Sequence, residues 1–175
     1  MKDFSELVYL RRSHRKFTEE PVGEAELRLI MRAALMAPSS KGLHSYEFVT
    51  VTDTKKIGQL SRCKAMGAEL LAGAPLAIAV LGRPETSDCW LEDASIAATH
   101  ILLQAEDLGL GACWVQMRER QDAEGRDAEA NVRRVLNIPE EVRVLCVVAI
   151  GHKGAERKPQ NEERLLWDKV HQETW

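Results

Sequence analysis

The alternation of hydrophobic and polar residues changes its period several times along the chain, and each change marks a predicted element. Apolar side chains at helical spacing predict helices over residues 4–10, 24–36, 91–108, 128–136 and 162–171, with two short helices between 53 and 72. Short apolar or alternating runs predict strands over residues 46–51, 76–81, 112–116 and 142–150. Helices interleaved with four short strands indicate an α+β fold with one central sheet.

The helix predicted over residues 91–108 is apolar on nearly every side. From Ile96 to Ala105, small and apolar side chains surround its axis. A helix that is apolar all round must be buried all round, and one small sheet offers limited cover. The pattern therefore favours burial against a second copy of the chain. A core helix that is covered entirely within one chain is the alternative.

Length and composition are those of one ordinary globular domain. The chain has 175 residues, of which 45% are hydrophobic and 29% charged, so we expect a single domain over residues 1–175. The net charge of −3 gives no general attraction to nucleic acid. Positive charge is nevertheless grouped at two places, which favours a small anionic ligand. These groups are Arg11, Arg12, Arg15 and Lys16, and then Lys153, Arg157 and Lys158.

No segment is apolar for long enough to cross a membrane as a helix. The longest strongly apolar stretch, residues 74–81, is far shorter than the roughly 20 residues that such a helix needs. The beginning of the chain carries an acidic residue and no apolar run, so no signal peptide is expected. We therefore expect a cytoplasmic protein with neither a membrane nor a nucleic acid among its partners.

The four cysteines are far apart and lack the spacing of a metal site or a redox pair. Cys89, Cys113 and Cys146 lie in or beside apolar segments, where reduced and buried thiols are expected. Cys63 stands between two basic residues, a neighbourhood that favours a thiolate if the side chain is exposed. No cysteine is expected to take part in catalysis.

An arginine-rich turn directly follows the first predicted helix. Arg11 and Arg15 are four residues apart with Ser13 between them, so in helical geometry the two guanidinium groups would converge on one side. Guanidinium groups suit phosphate because their planar fork donates two parallel hydrogen bonds. The alternative is a solvated basic turn, which the dipole at a helix C-terminus favours.

Two further segments have the composition of ligand-binding loops. Residues 37–48 form a small-residue loop that offers backbone N–H groups, two hydroxyls and His44. Residues 108–117 place a helix end, a glycine turn, a strand and Trp114 next to one another. Their glycines follow a helix and lack the spacing of a dinucleotide-binding fold. Taken singly, the first segment also suits an ordinary turn, and Trp114 suits a core position.

The order of these motifs resembles that of the nitroreductase family across nearly the whole chain. The matching segments are RRSHRKF, APSS before a strand, the helix EDASIAATHILLQAEDLGLG, the strand CWVQ and the late loop IGHKGAERKP. The resemblance implies an α+β fold with a mostly antiparallel sheet flanked by helices, assembled as a domain-swapped-type homodimer. It also implies an FMN held at the interface between the two subunits.

By match to the family's motifs, four sets of residues would surround the FMN. The phosphate and one edge of the flavin would be held by Arg11, Arg12, Ser13 and Arg15. The phosphate site would be completed by Arg157 or Lys158. The same flavin would be approached from the partner subunit by Pro38, Ser39 and Ser40. The isoalloxazine ring would run along Trp114, Val115, Gln116 and Met117, where a backbone N–H near Gln116 faces N5.

Departures from the family's pattern bear on the substrate. The loop's usual Asn and Gln positions are occupied by Gly42 and His44, and His44 could supply a titrating donor in place of an amide. His44 is equally suited to a plain surface position in the loop. Met117 stands where many members have glycine, which predicts a narrower or more apolar pocket.

The resemblance implies a ping-pong reaction that needs no side-chain acid–base pair. NADH or NADPH gives a hydride to FMN and leaves, and a nitroaromatic, quinone or similar small-molecule acceptor takes its place. One alternative is other flavin chemistry, such as dehalogenation or flavin degradation. A second is a non-enzymatic FMN carrier or sensor in which Met117 and Tyr46 close the acceptor site. The last is a dimeric scaffold without a cofactor.

Overall fold

The computed structural model describes residues 3–175, which form five α-helices and four strands. The helices are α1 Phe4–Leu10, α2 Glu24–Leu35, α3 Thr54–Leu60, α4 Trp90–Asp107 and α5 Ala128–Leu136. The strands are β1 Tyr46–Val51, β2 Leu76–Gly82, β3 Leu110–Gln116 and β4 Arg143–His152. All four predicted strands are confirmed, with small differences at their ends. Of the two short helices predicted between residues 53 and 72, one is α3 and the other is only a 3₁₀ segment, Glu69–Gly73.

The four strands form one antiparallel sheet in the order β1-β2-β4-β3. β2 is buried along its whole length, because it lies inside the sheet and helices cover both faces. One core joins α2 and α4 to Ile78 and Val148, and the other joins α3 and α5 to Ala79 and Val147. The predicted α+β class and the mostly antiparallel sheet are confirmed.

The long helix α4 lies close against the sheet because small residues line the contact. Its inner face presents four fully buried alanines, Ala94, Ala97, Ala98 and Ala105. At its start the Trp90 ring packs on Gly82, where a Cβ would lie 2.3 Å from a ring atom. The helix ends at Asp107, and Gly109 (φ +79°) turns the chain into β3. No helix within residues 3–175, α4 included, is long and apolar enough to span a membrane.

The outer face of α4 is left uncovered within one chain. Ile96 is 38% exposed, and Leu102 and Leu103 are only partly buried. The alternative of a helix covered entirely within one chain is therefore wrong. An apolar groove of about 330 Å³ runs beside this face, where Phe4 of α1 approaches His100 of α4.

The helix predicted over residues 162–171 is wrong. The segment contains two 3₁₀ turns, Glu162–Arg164 and Trp167–Lys169. Its apolar side chains are exposed, namely Leu165, Leu166, Trp167 and Val170. A short helix gains most of its stability from packing an apolar face against another surface, and nothing within residues 3–175 covers these side chains.

Candidate functional site

The arginine-rich turn is an extended segment that lies along the open edge of β3. Ser13 forms a parallel bridge with Ala112, and the His14 N–H donates to the Ala112 carbonyl over 3.0 Å. This segment is therefore extended and not helical. The side chains of Arg11 and Arg15 are still expected on one side, because alternate residues of an extended chain point in the same direction. This alternation groups Arg11, Ser13 and Arg15.

Glycines in the neighbouring segments allow this close approach. A Cβ at Gly111 would lie 2.8 Å from the Cβ of His14, and one at Gly154 would lie 3.0 Å from the backbone carbon of Lys16. The Gly154 N–H also donates to the Lys16 carbonyl over 2.9 Å. Backbone contacts with β3 and with the chain after β4 thus set the position of the arginine segment.

Positive charge surrounds the Cys113 thiol on β3. Burial raises the pKa of Cys113, while Arg15, a hydrogen bond with Ser13, Lys64 and Arg11 all act to lower it. The three cations Arg11, Arg15 and Lys64 are referred to below as the cation cluster. Within residues 3–175, none of them forms a salt bridge with a carboxylate, although the Glu69 carboxylate attracts Lys64 electrostatically. Cations that form no salt bridge, grouped beside a hydroxyl, make a site for an anion.

Lys64 is the member of the cluster that the sequence did not reveal. Its backbone is held on both sides, because Asn131 Nδ2 donates to the Cys63 carbonyl over 3.2 Å and the Ala65 N–H donates to the Gln121 carbonyl over 2.9 Å. Burial lowers the pKa of Lys64, as expected for a partly desolvated cation. These contacts join residues that are distant in sequence, so no local motif marks Lys64.

Cys63 is a buried, neutral thiol. It is 3% exposed, and burial raises its pKa to about 11. The basic neighbours of Cys63 would favour a thiolate only if its side chain were exposed. Because the side chain is buried, this condition is not met. All four cysteines are free, namely Cys63, Cys89, Cys113 and Cys146.

The two cationic groups of the sequence meet at this edge of the fold. Arg15 and Arg157 line one cleft of about 250 Å³. The Arg12 guanidinium donates to backbone carbonyls of the late basic loop, namely those of Lys158 and Pro159, the latter over 2.9 Å. Arg12 thereby holds the late basic loop against the arginine segment. Lys158 lines a separate cleft beside Arg12, so Arg157 is the residue of this loop that accompanies Arg15.

The open edge of β3 presents backbone donors. Since the Ala112 carbonyl faces the arginine segment and strand groups alternate in direction, the N–H groups of Trp114 and Gln116 also point to this edge. The side chains of Val115 and Met117 are at most 1% exposed and belong to the core of α3 and α5. These two residues can meet a ligand only through their backbone. The prediction that Met117 narrows the pocket is therefore wrong.

A buried carboxylate of α4 holds the loop between α2 and β1. Asp93 is 2% exposed and accepts from the Ser40 N–H over 2.8 Å and from the Ser45 hydroxyl over 2.9 Å. The Ser39 hydroxyl accepts from the His44 N–H over 3.0 Å. The loop thus keeps a defined shape while four predicted site residues stay at least partly exposed: Pro38, Ser39, Ser40 and His44.

Tyr46 is part of the core beneath this loop. It is 5% exposed, and its hydroxyl donates to the Ala37 carbonyl over 2.7 Å. Because Tyr46 and Met117 are both buried, they do not close an acceptor site. The alternative of a carrier or sensor whose acceptor site is closed by these two side chains therefore loses its structural argument.

The loop of residues 38–44 and the cation cluster are well separated within one chain. Asp93 holds the loop, whereas Glu106 pairs with Lys153 over 2.7 Å beside His14 of the arginine segment. Since a helix rises about 1.5 Å per residue, the two carboxylates are about 20 Å apart along α4. The loop also leads into β1, at the sheet edge opposite β3. One chain therefore does not bring both groups to the same ring system.

Comparison with known proteins identifies the family. The chain matches the model of the Nitroreductase family over residues 8–65 and 59–152. The chain belongs to the nitroreductase family. An FMN-dependent nitroreductase from Clostridium difficile has the same fold, with a TM-score of 0.94 and 42% identity over 97% of this chain and 98% of that chain. The family resemblance inferred from the motif order is thus confirmed.

Two further family relatives lie at greater distance. A protein of Archaeoglobus fulgidus is 29% identical over the whole of both chains. An NADPH-flavin oxidoreductase of Vibrio harveyi is 27% identical over 94% of this chain and 71% of its own length. The chain is therefore similar to these relatives over most of its own length.

Proposed function

We propose that residues 1–175 form one domain of an FMN-dependent oxidoreductase. It would take a hydride from NADH or NADPH and reduce a nitroaromatic, quinone or similar acceptor by a ping-pong mechanism. The observation that carries the proposal is the cation cluster beside Ser13, at a strand edge with free N–H groups. The names of two relatives, an FMN-dependent nitroreductase and an NADPH-flavin oxidoreductase, support the cofactor and the hydride donor.

The residues of the cluster suit the phosphate of FMN. A phosphate monoester carries about two negative charges at neutral pH, which Arg11 and Lys64 would balance, with the Ser13 hydroxyl as a further donor. Arg157, which shares a cleft with Arg15, would complete the site. Such charge-assisted hydrogen bonds are roughly twice as strong as neutral ones. Arg15 is the most exposed member of the cluster, and it would supply positive charge near N1 and C2=O of the flavin.

When bound, FMN supplies the redox chemistry, by accepting a hydride from the nicotinamide and passing it to an acceptor. The chain's own residues would position the FMN and supply hydrogen-bond donors and positive charge around it. The Gln116 N–H, at the open edge of β3, would donate to N5. The buried side chains of Val115 and Met117 stiffen the strand from behind, which keeps that donor in a fixed place.

We infer that a domain-swapped-type homodimer completes the site. In it, Pro38, Ser39, Ser40 and His44 of one subunit would approach the FMN held by the other. The separation of about 20 Å within one chain supports this arrangement. The uncovered outer face of α4 and the exposed apolar residues after 162 also support it, because contiguous exposed apolar surface marks an interface.

Absorbance spectroscopy tests the proposal. The purified protein should be yellow or take up added FMN, should bleach with NADH or NADPH in the absence of oxygen, and should recover its colour when a quinone is added. A protein that binds no FMN would support the scaffold. One that binds FMN but is bleached by neither nicotinamide would support a carrier. Dehalogenation or flavin degradation would use the same FMN and would differ in the acceptor that restores the colour.

A further inference from the structure

His44 and Tyr46 form a hydrogen-bonded pair at the exposed end of the loop. His44 Nδ1 lies 2.8 Å from the Tyr46 hydroxyl oxygen, and the two rings meet edge to face with centroids 5.7 Å apart. The same hydroxyl lies 2.7 Å from the Ala37 carbonyl oxygen. Ala37 and Tyr46 are buried, whereas His44 is exposed. The pair therefore connects a fixed anchor in the core to a titratable ring at the surface.

This geometry selects one tautomer of the imidazole. A carbonyl only accepts, so the single hydroxyl proton of Tyr46 is donated to Ala37. The hydroxyl oxygen must then accept from His44 Nδ1, which carries a proton in both charge states of the ring. Nε2 is left as the nitrogen that gains and loses a proton. Burial, and then Asp93, raise the pKa of Tyr46, so the hydroxyl stays neutral and its oxygen remains an acceptor for His44 Nδ1.

The backbone of the loop holds the imidazole in place. Lys41 and His44 have φ values of 53° and 46°, which residues with a Cβ seldom adopt. The Ser39 hydroxyl fixes the His44 N–H, and Asp93 fixes the Ser40 N–H. Uncommon backbone of this kind persists only where surrounding contacts determine it, and it is concentrated at functional sites.

We propose that His44 is the proton donor to the acceptor in the second half-reaction. A quinone that takes a hydride at one oxygen gains two electrons and one proton, and its other oxygen becomes an oxyanion. The proton on His44 Nε2 then moves to that oxyanion, so the imidazolium becomes a neutral imidazole and a neutral hydroquinone leaves. Solvent returns the proton, since His44 is exposed. The proposal rests on the proposed function, in which the loop of one subunit faces the FMN of the other.

Stopped-flow reoxidation separates proton transfer from electron transfer. FMN-loaded enzyme, reduced by NADH or NADPH without oxygen, is mixed either with benzoquinone, which needs protons, or with ferricyanide, which accepts electrons alone. We expect His44→Gln to slow reoxidation by benzoquinone about 100-fold, in the range of general acid catalysis, and to leave reoxidation by ferricyanide unchanged. The matched control is His152→Gln at the end of β4, where the ring faces Glu20; it should change neither rate.

Imidazole ¹⁵N NMR identifies the tautomer of His44 and does not require catalytic turnover. At a pH where the ring is neutral, the wild type should carry its proton on His44 Nδ1, and Tyr46→Phe should lose this preference. An Nε2–H tautomer in the wild type would overturn the proposal. So would equal slowing by both oxidants, or an unchanged benzoquinone rate in a His44→Gln enzyme that still binds FMN and is reduced normally. A wild type that binds no FMN would overturn the proposed function and this proposal together.

Discussion

At the scale of single residues, positive charge without a partner distinguishes the candidate site from the rest of the surface. Arg126 and Arg143 each meet a carboxylate over 2.7 Å, whereas no salt bridge within residues 3–175 involves the cation cluster. A partly desolvated charge without a partner destabilises the protein until an anion binds it. The cluster should therefore respond more strongly to FMN than any paired arginine.

Replacement of Arg11 or Arg15 by alanine should weaken FMN binding. Each change removes charge-assisted hydrogen bonds worth about 1.5–3 kcal/mol, which corresponds to roughly a 10- to 100-fold loss of affinity. Titration of the apo-protein with FMN, followed by flavin fluorescence, measures the effect. Arg28→Ala, at an exposed position on α2, is the control and should bind FMN normally. Normal affinity in both cluster variants would support the solvated basic turn instead.

Lys64→Met should have opposite effects on the apo and the FMN-loaded protein. Without FMN it removes a partly buried cation that forms no salt bridge, so the melting temperature should rise by roughly 1–2 °C, equivalent to about 0.5 kcal/mol. With FMN it removes a phosphate contact, so affinity should fall about 10-fold. Lys64→Arg keeps the charge and should retain most of the affinity. A fall in apo-protein stability with unchanged FMN affinity would show that Lys64 is structural.

At the scale of elements, the loop before α5 and the start of α5 form a brace for the cation cluster. The Asp122 carboxylate is buried and accepts from Arg126 Nε over 2.7 Å and from Asn131 Nδ2 over 2.9 Å. Asn131 then donates to the Cys63 carbonyl, next to Lys64. These hydrogen bonds therefore tie the position of Lys64, on the phosphate side of the candidate site, to that of the loop before α5.

The brace should make stability depend on pH in a defined window. Burial acts to raise the pKa of Asp122, but hydrogen bonds from Arg126 and Asn131 prevail and lower it from 3.8 to about 2. A lowered pKa in the folded state means that the stabilisation is complete above about pH 4 and is lost as pH falls to about 2. Asp122→Asn should therefore lower the melting temperature at pH 7 and have little effect near pH 2.

Thermal denaturation followed between pH 7 and about pH 2 checks this window. Glu124→Gln is the control, because Glu124 pairs with the same Arg126 over 2.6 Å but at the exposed surface, where ion pairs contribute little. A melting-temperature difference between wild type and Asp122→Asn that stays constant across the range would contradict the assigned role of the carboxylate.

At the scale of the whole molecule, apolar surface remains where the chain has no further layer to cover it. Ile96 on α4 and Phe4 on α1 are 38% and 70% exposed, and Trp167 in the last segment is 71% exposed. A monomeric protein rarely leaves contiguous apolar patches of large size in water. A second copy of the chain would cover these residues and would also bring together the two halves of the candidate site.

Ile96→Glu should abolish the dimer and FMN binding together. A charge at the centre of an apolar interface is costly to bury, so the variant should sediment as a monomer at micromolar concentration. Its FMN affinity should fall with the dimer, because the loop of residues 38–44 would come from the partner. Ala130→Glu, at an exposed position of α5 on the other face of the sheet, should keep both properties. A monomeric Ile96→Glu variant that binds FMN normally would refute the two-chain site.

The strands and the long helices could be predicted from the sequence, because their deciding features are local. The run of residues 76–81 between turn-formers identified β2 as buried on both faces, and Gly109 marked the end of α4. The helix predicted over residues 162–171 does not form, although its apolar spacing is helical. Helix formation there needs a surface to pack against, and a local sequence pattern does not include that surface. Elements that are stabilised by their neighbours cannot be inferred from their own residues.

The sequence by itself determined the family and the arginine motif, because motif order and residue type are properties of the chain. Only the tertiary structure decided how those residues are used. In the folded chain, Lys64 lies in the cation cluster, Arg12 contacts the late loop and Met117 is buried in the core. Each of these outcomes depends on contacts between residues far apart in the chain, and the sheet order and helix packing that create such contacts exist only once the chain has folded.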